Sequence, residues 1–169
     1  MKQQKGKIIK IAFNVVFISG VIYVFFFAFS TLRSMQKNAI EAEPRMLIEA
    51  FSRGQQQYYK DNKEFADDLK ELNQSNKSNI SSTTSHYQLE TIKDHSDNQE
   101  GYQGLSIQVT PTQDGLSYRV GTYAGGIKYK EEEDVFETII CRQDFGEDAS
   151  AEVEINTNGI NCKIGESVR

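Results

Sequence analysis

The chain has little with which to do chemistry. Its 169 residues contain two histidines, two cysteines and no tryptophan. With no third cysteine, a thiolate-rich zinc or iron–sulfur centre is excluded. His86 and His95 do not stand at a Cys2His2 spacing to Cys141 and Cys162. The sequence has no HExxH pair, no Gly-rich phosphate loop and no paired-glycine nucleotide fingerprint. A serine or cysteine nucleophile needs an oriented base. Both histidines fall in or near polar segments and are expected to be surface residues. The run Glu131-Glu132-Glu133-Asp134 is consecutive, unlike the spaced ligands of a calcium loop, so it is expected to be a solvated acidic turn. No metal, no cofactor and no catalysis are expected.

Charge is missing from one long stretch as well. Ile11 to Phe29 carries none, directly after a start that holds Lys2, Lys5, Lys7 and Lys10. At about 1.5 Å of rise per residue, such a run nearly spans the ~30 Å hydrocarbon core of a bilayer. Lysines on its N-terminal side favour a cytoplasmic N-terminus. The expected organisation is a basic cytoplasmic tail over residues 1–10, a transmembrane helix over 11–32 and an extracytoplasmic domain over 33–169. The rival is a cleaved secretory signal, because Ala28-Phe29-Ser30 loosely fits a small-x-small site. The run exceeds the ~7–15 residues of a signal core. It also ends on bulky Phe25, Phe26, Phe27 and Phe29, so retention is expected. Asn14 and Ser19 are polar within the span and can be satisfied by backbone or by a neighbouring helix.

The remaining charge is segregated. Residues 1–44 hold six basic and two acidic side chains of the chain's 19 and 24, leaving a net of −9 beyond Pro44. Nucleic acid is therefore not an expected partner. The expected partners are the membrane and other membrane proteins. About 125 residues beyond Pro44 suffice for one domain with a modest core. Cys141 and Cys162 form a matched pair in the exported part and are expected to close a disulfide.

Residues 31–60 read as a helix leaving the membrane. Leu47, Ala50, Phe51, Gly54 and Tyr58 share one helical face, and Pro44 either starts or kinks this helix. Phe65, Leu69 and Leu72 suggest a short further helix. Residues 73–86 read as a long exposed Ser/Asn loop, whose Asn-x-Ser triplets at Asn73, Asn76 and Asn79 follow from composition. Strand-like alternation follows at Tyr87–Ile92, at Leu105–Val109, at Tyr118–Thr122 closed by Gly125-Gly126, and at Phe136–Ile140. Lys93 to Gly101 reads as a polar turn. Short connections imply an antiparallel sheet, with the helix 45–60 covering one face. A ragged hairpin at Val153, Ile155 and Gly159 closes the chain.

The segment FSRGQQQYYKDNKEFA, residues 51–66, resembles the N-R-A-Q-Q-A-Y-Y-x-x-N-G-x-F-A stretch of type IV pilin-like proteins of the G/H group, common in cyanobacteria. Arg53, Gln55, Gln56, Tyr58, Tyr59, Asn62, Phe65 and Ala66 match. YRVGTYAGG, and ETIICR followed by INCKIGE, are similar to that group's later strands and terminal cysteine pair. The resemblance implies an α+β pilin fold, with a long N-terminal helix, transmembrane and then amphipathic, on a roughly four-stranded antiparallel sheet and a disulfide-closed C-terminal region. It implies a non-catalytic accessory part of a pilus or a related secretion-type membrane assembly; a membrane sensor or ligand-binding domain is the alternative. The N-terminus departs from the family. Pilins place a cleavable Gly shortly before a Glu that pairs with a neighbour's amine. Here Gly6 precedes Lys7-Ile8-Ile9-Lys10-Ile11, and Phe13 stands where the Glu is expected by ungapped counting. The helix-kinking Pro position is Ser30.

Overall fold

A computed structural model describes residues 2–76, 79–96, 102–147 and 149–168, with backbone alone at 2–17, 33, 76 and 91. The side chains of Lys2, Lys5, Lys7, Lys10, Ile11, Phe13 and Asn14, the triplet side chain of Asn76, and residues 97–101 of the expected turn lie outside that description. The chain divides into two units, one ending at Ala39 and one running from Ile40 to Arg169.

One helix, α1 (Lys2–Asn62), runs through Pro44 without a break. In the first unit its apolar side chains have nothing over them. Ile18, Val21, Ile22, Tyr23, Val24, Phe25, Phe26, Phe27, Phe29 and Leu32 are each 52–79% exposed. This helix is long and apolar enough to cross a membrane. Ser30 and Thr31 donate their hydroxyls to the same carbonyl, that of Phe27, so these two polar groups are satisfied within the helix.

In the second unit α1 turns amphipathic. Ile40, Pro44, Leu47, Ile48, Phe51, Gln55, Tyr58 and Tyr59 form its buried face. Leu47, Phe51 and Tyr58 were placed there by periodicity, but Ala50 and Gly54 only flank it. Ile48, Gln55 and Tyr59 take the stripe's centre because the sheet beneath covers a broader sector than one i, i+3, i+4 line.

After α1, a short helix α2 (Leu69–Asn76) packs Leu72 into the core. It takes the first residues of the expected 73–86 loop. Its start is capped: Asp68 accepts from the Glu71 N–H at 2.7 Å, and Glu71 accepts in turn from the Asp67 N–H at 3.0 Å. Asn73 is part of the same device. Its side chain bonds both the N–H and the C=O of Ile80, at 2.9 Å each, and so pins the returning loop.

The main sheet has the order β1 (Tyr87–Asp94), β2 (Tyr102–Pro111), β3 (Thr122–Lys130), β4 (Val135–Gln143) and the two-residue edge β7 (Glu166–Ser167), all antiparallel. A second, two-stranded sheet pairs β5 (Glu152–Asn156) with β6 (Gly159–Ile164). A five-residue helix, α3 (Gln113–Ser117), connects β2 to β3. The third strand therefore differs from the sequence expectation. Tyr118 ends α3, and Gly125-Gly126 lie in mid-strand instead of closing it. The reason is steric. A Cβ on Gly125 would stand 2.2 Å from Ile48 Cγ2, and one on Gly126 would stand 2.7 Å from Val153 Cγ1 and Ile160 Cδ1. One glycine lets α1 approach one face of the sheet; the other lets the β5–β6 hairpin approach the opposite face. Three layers result, with one core under α1 and a smaller one under the hairpin.

Candidate functional site

The residues that carry the family resemblance gather at the far end of α1, where the helix hands over to α2. Gln55, fully buried, donates to the Ala66 carbonyl and accepts from the Ala66 N–H, both at 2.9 Å. The amide thus replaces a missing backbone partner for a chain that turns back on itself after Lys63, a residue held at φ 67°. Tyr59 anchors an aromatic cluster, with ring centroids 5.0 Å from Phe65, 4.4 Å from Tyr129 and 5.6 Å from Phe136. The Tyr58 hydroxyl donates to Glu71 at 2.7 Å; that carboxylate, together with burial, pushes its pKa up to about 12. Arg53 is exposed, with an ion pair to Glu49 at 3.6 Å. Arg53 and half-buried Gln56 line a shallow groove of about 140 Å³ beside Thr138 and Ile140. Gln55, Tyr58, Tyr59 and Phe65 thus work inward on the fold, while Arg53 and Gln56 face outward.

At the other end of the domain, where the chain enters at Ile40, two glutamates of α1 reach the loops. Glu43 accepts from the Thr84 hydroxyl at 2.5 Å and from the His86 N–H at 3.2 Å, and it bonds His86 Nδ1 at 2.6 Å. Burial works against the Glu43 charge, but the Thr84 and His86 hydrogen bonds outweigh it and hold its pKa below the ordinary value. Glu41 accepts from Arg142 Nη2 at 3.3 Å, and Arg142 also binds Asp144 at 2.7 Å. The sequence gives no local signal for either contact, since the partners stand 43 and 101 residues apart.

The opposite face of the sheet carries the disulfide. Cys141 on β4 is bonded to Cys162 on β6, tying the hairpin to the sheet across 21 residues. Lys128, 1% exposed, adds a second tie by donating to the carbonyls of Asn156 and Thr157 at 2.5 and 3.2 Å, with its ammonium 4.6 Å from the Tyr102 ring centroid. Between the hairpin and strands β1–β2 lies a solvent-open cleft of about 370 Å³ lined by Lys93, Ser106, Gln108, Ser150 and Glu152. His95 Nε2 bonds Ser106 Oγ at its edge, 2.8 Å away. Burial, and then the Lys93 ammonium, lower the pKa of His95. Neither histidine is thus the free surface residue that composition suggested; each is half-buried and bonded. The Ser106–His95 pair has the spacing of a nucleophile and base, but among the described residues no carboxylate orients the ring's other nitrogen. No group of three or more metal-ligating side chains is found among the described residues either.

These contacts hold one helix, two sheets and their connections together as one folded domain. Neither the curated proteins nor the solved structures yield a match. A family match covers residues 41–163, from Glu41 at the domain's entry to the residue after Cys162. It thus takes in the amphipathic half of α1, strands β1 to β5, β6 up to Lys163 and the cysteine pair, leaving out of the sheets only the edge strand β7 and the last residue of β6. The chain belongs to the family of type IV pilin-like proteins G and H.

Proposed function

We propose that this pilin-like protein is a single-pass membrane component of a pilus or a related secretion-type assembly. Its N-terminus would be cytoplasmic and its α+β domain would stand on the outer side of the plasma membrane. It contributes contacts rather than catalysis. The observation that carries this reading is the pairing of a family domain with an uncovered apolar helix face preceded by four lysines. Lys2, Lys5, Lys7 and Lys10 set the topology in this reading, and exposed Arg53 with half-buried Gln56 is available to protein partners.

The protein does not polymerise on its own in this reading. Subunit choice in a bilayer by charge needs a buried carboxylate facing an amine, and the candidate positions here, Ile11 and Phe13, are apolar. They pack among helices without selecting a neighbour's terminus. The protein then sits beside, beneath or at the end of a mixed filament. Carbonate extraction and protease accessibility test the anchor and its sidedness. The expected result is a carbonate-resistant chain whose domain is cleaved only from the outer side. Gentle detergent extraction should co-purify other membrane-assembly subunits. Filaments made mainly of this chain, seen by electron microscopy and mass spectrometry, would overturn the accessory role.

A further inference from the structure

The end of the domain at which the chain enters carries three large apolar side chains that the described residues leave partly exposed. Leu116 is 44% exposed, Tyr118 42% and Phe145 48%. They come from α3, its C-terminal turn and the loop after β4. Leu116 and Phe145 line one open groove of about 210 Å³ with Pro111, Val120 and Ala149. Tyr118 stacks edge-on against His86, centroids 5.5 Å apart, and His86 is bonded to Glu43 in the first turns of the domain's helix. Phe145 follows Asp144, which shares Arg142 with Glu41. All three apolar groups thus lie at the end that receives residues 40–43. The acidic turn Glu131–Asp134 marks the opposite end, where Tyr59 meets Tyr129 and Phe136.

We infer that Leu116, Tyr118 and Phe145 form a foot that rests in the interfacial layer of the bilayer holding the helix. The inference builds on the membrane-anchored reading above. Only seven residues, 33–39, separate Leu32 from Ile40, a tether that reaches about 25 Å even when fully extended. The entry end therefore stays within reach of the headgroups. Tyrosine is enriched in that layer, and leucine and phenylalanine are side chains that interfacial segments sink to the headgroup boundary. The four consecutive carboxylates of 131–134 lie at the opposite end of the domain, and the entry end carries Arg119 and Arg142 against Asp114, Asp144, Glu147, Glu41 and Glu43, which suits a zwitterionic surface better than an anionic one. A second copy is a poorer occupant. Stable protein interfaces use about 20–30 residues a side, whereas a tethered domain at high effective concentration needs only a few contacts with the surface beside it.

The absence of tryptophan makes the test direct. Full-length protein is reconstituted in phosphatidylcholine vesicles, with and without bromine on the acyl chains near the headgroup. Single tryptophans are introduced as Phe145→Trp, Leu116→Trp, Val135→Trp and Phe26→Trp. Val135 is 45% exposed and starts β4 at the acidic end, so it reports water. Each variant is used after non-reducing thiol labelling shows its cysteine pair closed. The expected result is a blue-shifted emission at 145 and 116 that brominated lipid quenches and aqueous iodide does not, with the reverse at 135. If Phe26→Trp is quenched by brominated lipid while 145 and 116 respond to iodide as 135 does, the foot is refuted and the anchor stands. If 145 and 116 are shielded from both quenchers, protein covers the patch and the foot is again refuted. If Phe26→Trp itself escapes the brominated lipid, the anchored reading falls and the foot falls with it.

Discussion

Gly125→Ala is the smallest change that should strain the join between helix and sheet. The added methyl would lie 2.2 Å from Ile48 Cγ2 and 3.2 Å from Ile48 Cβ and Cγ1. Ile48 is 1% exposed, and its Cγ2 is attached directly to Cβ. A β-branched side chain in a helix has one strongly preferred χ1 rotamer, so that methyl cannot swing aside cheaply. Relief must come from moving α1 off β3. Overpacking of this kind costs about 1–3 kcal/mol, against ~0.5–1 kcal/mol gained by replacing a strand glycine with alanine. The two ranges leave a net loss of up to about 2.5 kcal/mol, centred near 1 kcal/mol. For a domain of this size a loss of about 1 kcal/mol is a fall in Tm on the order of 3–6 °C. It is read from the near-ultraviolet circular dichroism of the tyrosines as detergent-solubilised protein is heated. Ile48→Ala supplies the control. It costs about 2–5 kcal/mol alone, but in the double variant it removes the clashing methyl, so the two penalties should sum to less than their parts. Strict additivity of the two substitutions would refute the claim that this glycine exists to seat Ile48.

Three further outcomes follow from named contacts. Cys162→Ser should cost about 2–4 kcal/mol by freeing the β5–β6 hairpin, and thiol labelling of the unreduced parent should find no reactive sulfur. Phe51→Ala, at a site 2% exposed, should cost about 3–5 kcal/mol. Arg53→Ala should cost under about 1 kcal/mol because its only described ion pair is solvent-exposed; equal losses in urea titrations would contradict the assigned helix face. Glu43 bonds Thr84 and His86 as a carboxylate, and its folded pKa is lowered from 4.5. Its contribution is therefore full above pH 4.5 and lost as pH falls through the lowered value. Glu43→Gln should flatten that acid limb of a stability–pH curve, and an unchanged limb would show that the clamp carries no net weight.

Much of the fold was legible because its signals are local. The amphipathic period puts Leu47, Phe51 and Tyr58 on one face, and the alternation of β1, β2 and β4 is plain. The misreadings share one cause, which is that local signals cannot show what approaches from elsewhere. Gly125-Gly126 looked like a strand terminus because glycine weakens strands; the compensation comes from a helix 77 residues upstream and a hairpin downstream. Asn73 looked like loop composition, yet it holds Ile80 in place. His86 looked free because Glu43 is distant in sequence. The two candidate contact regions were legible to different degrees. The match at Arg53 and Gln56 is visible in the chain, whereas Leu116, Tyr118 and Phe145 are ordinary apolar residues until two connections, β2–β3 and the one after β4, bring them to one end.

The same arrangement explains how the domain holds its part of α1 in place. It does so through three kinds of tie placed along one axis. Glu41 and Glu43 hold loops at the entry, Ile48 sits against Gly125 at mid-length, and Gln55 and Tyr59 lock the exit to Ala66 and the aromatic cluster. Ion pairs occupy the entry, where Glu41 is itself buried, and a buried amide with a ring cluster occupies the exit. The sheet's other face is fixed independently by the disulfide and by Lys128, so loosening the helix need not release the hairpin. Partial loss of the α1 contacts should therefore leave the cysteine-closed half folded, with the Cys141–Cys162 disulfide still slow to yield to a mild reductant.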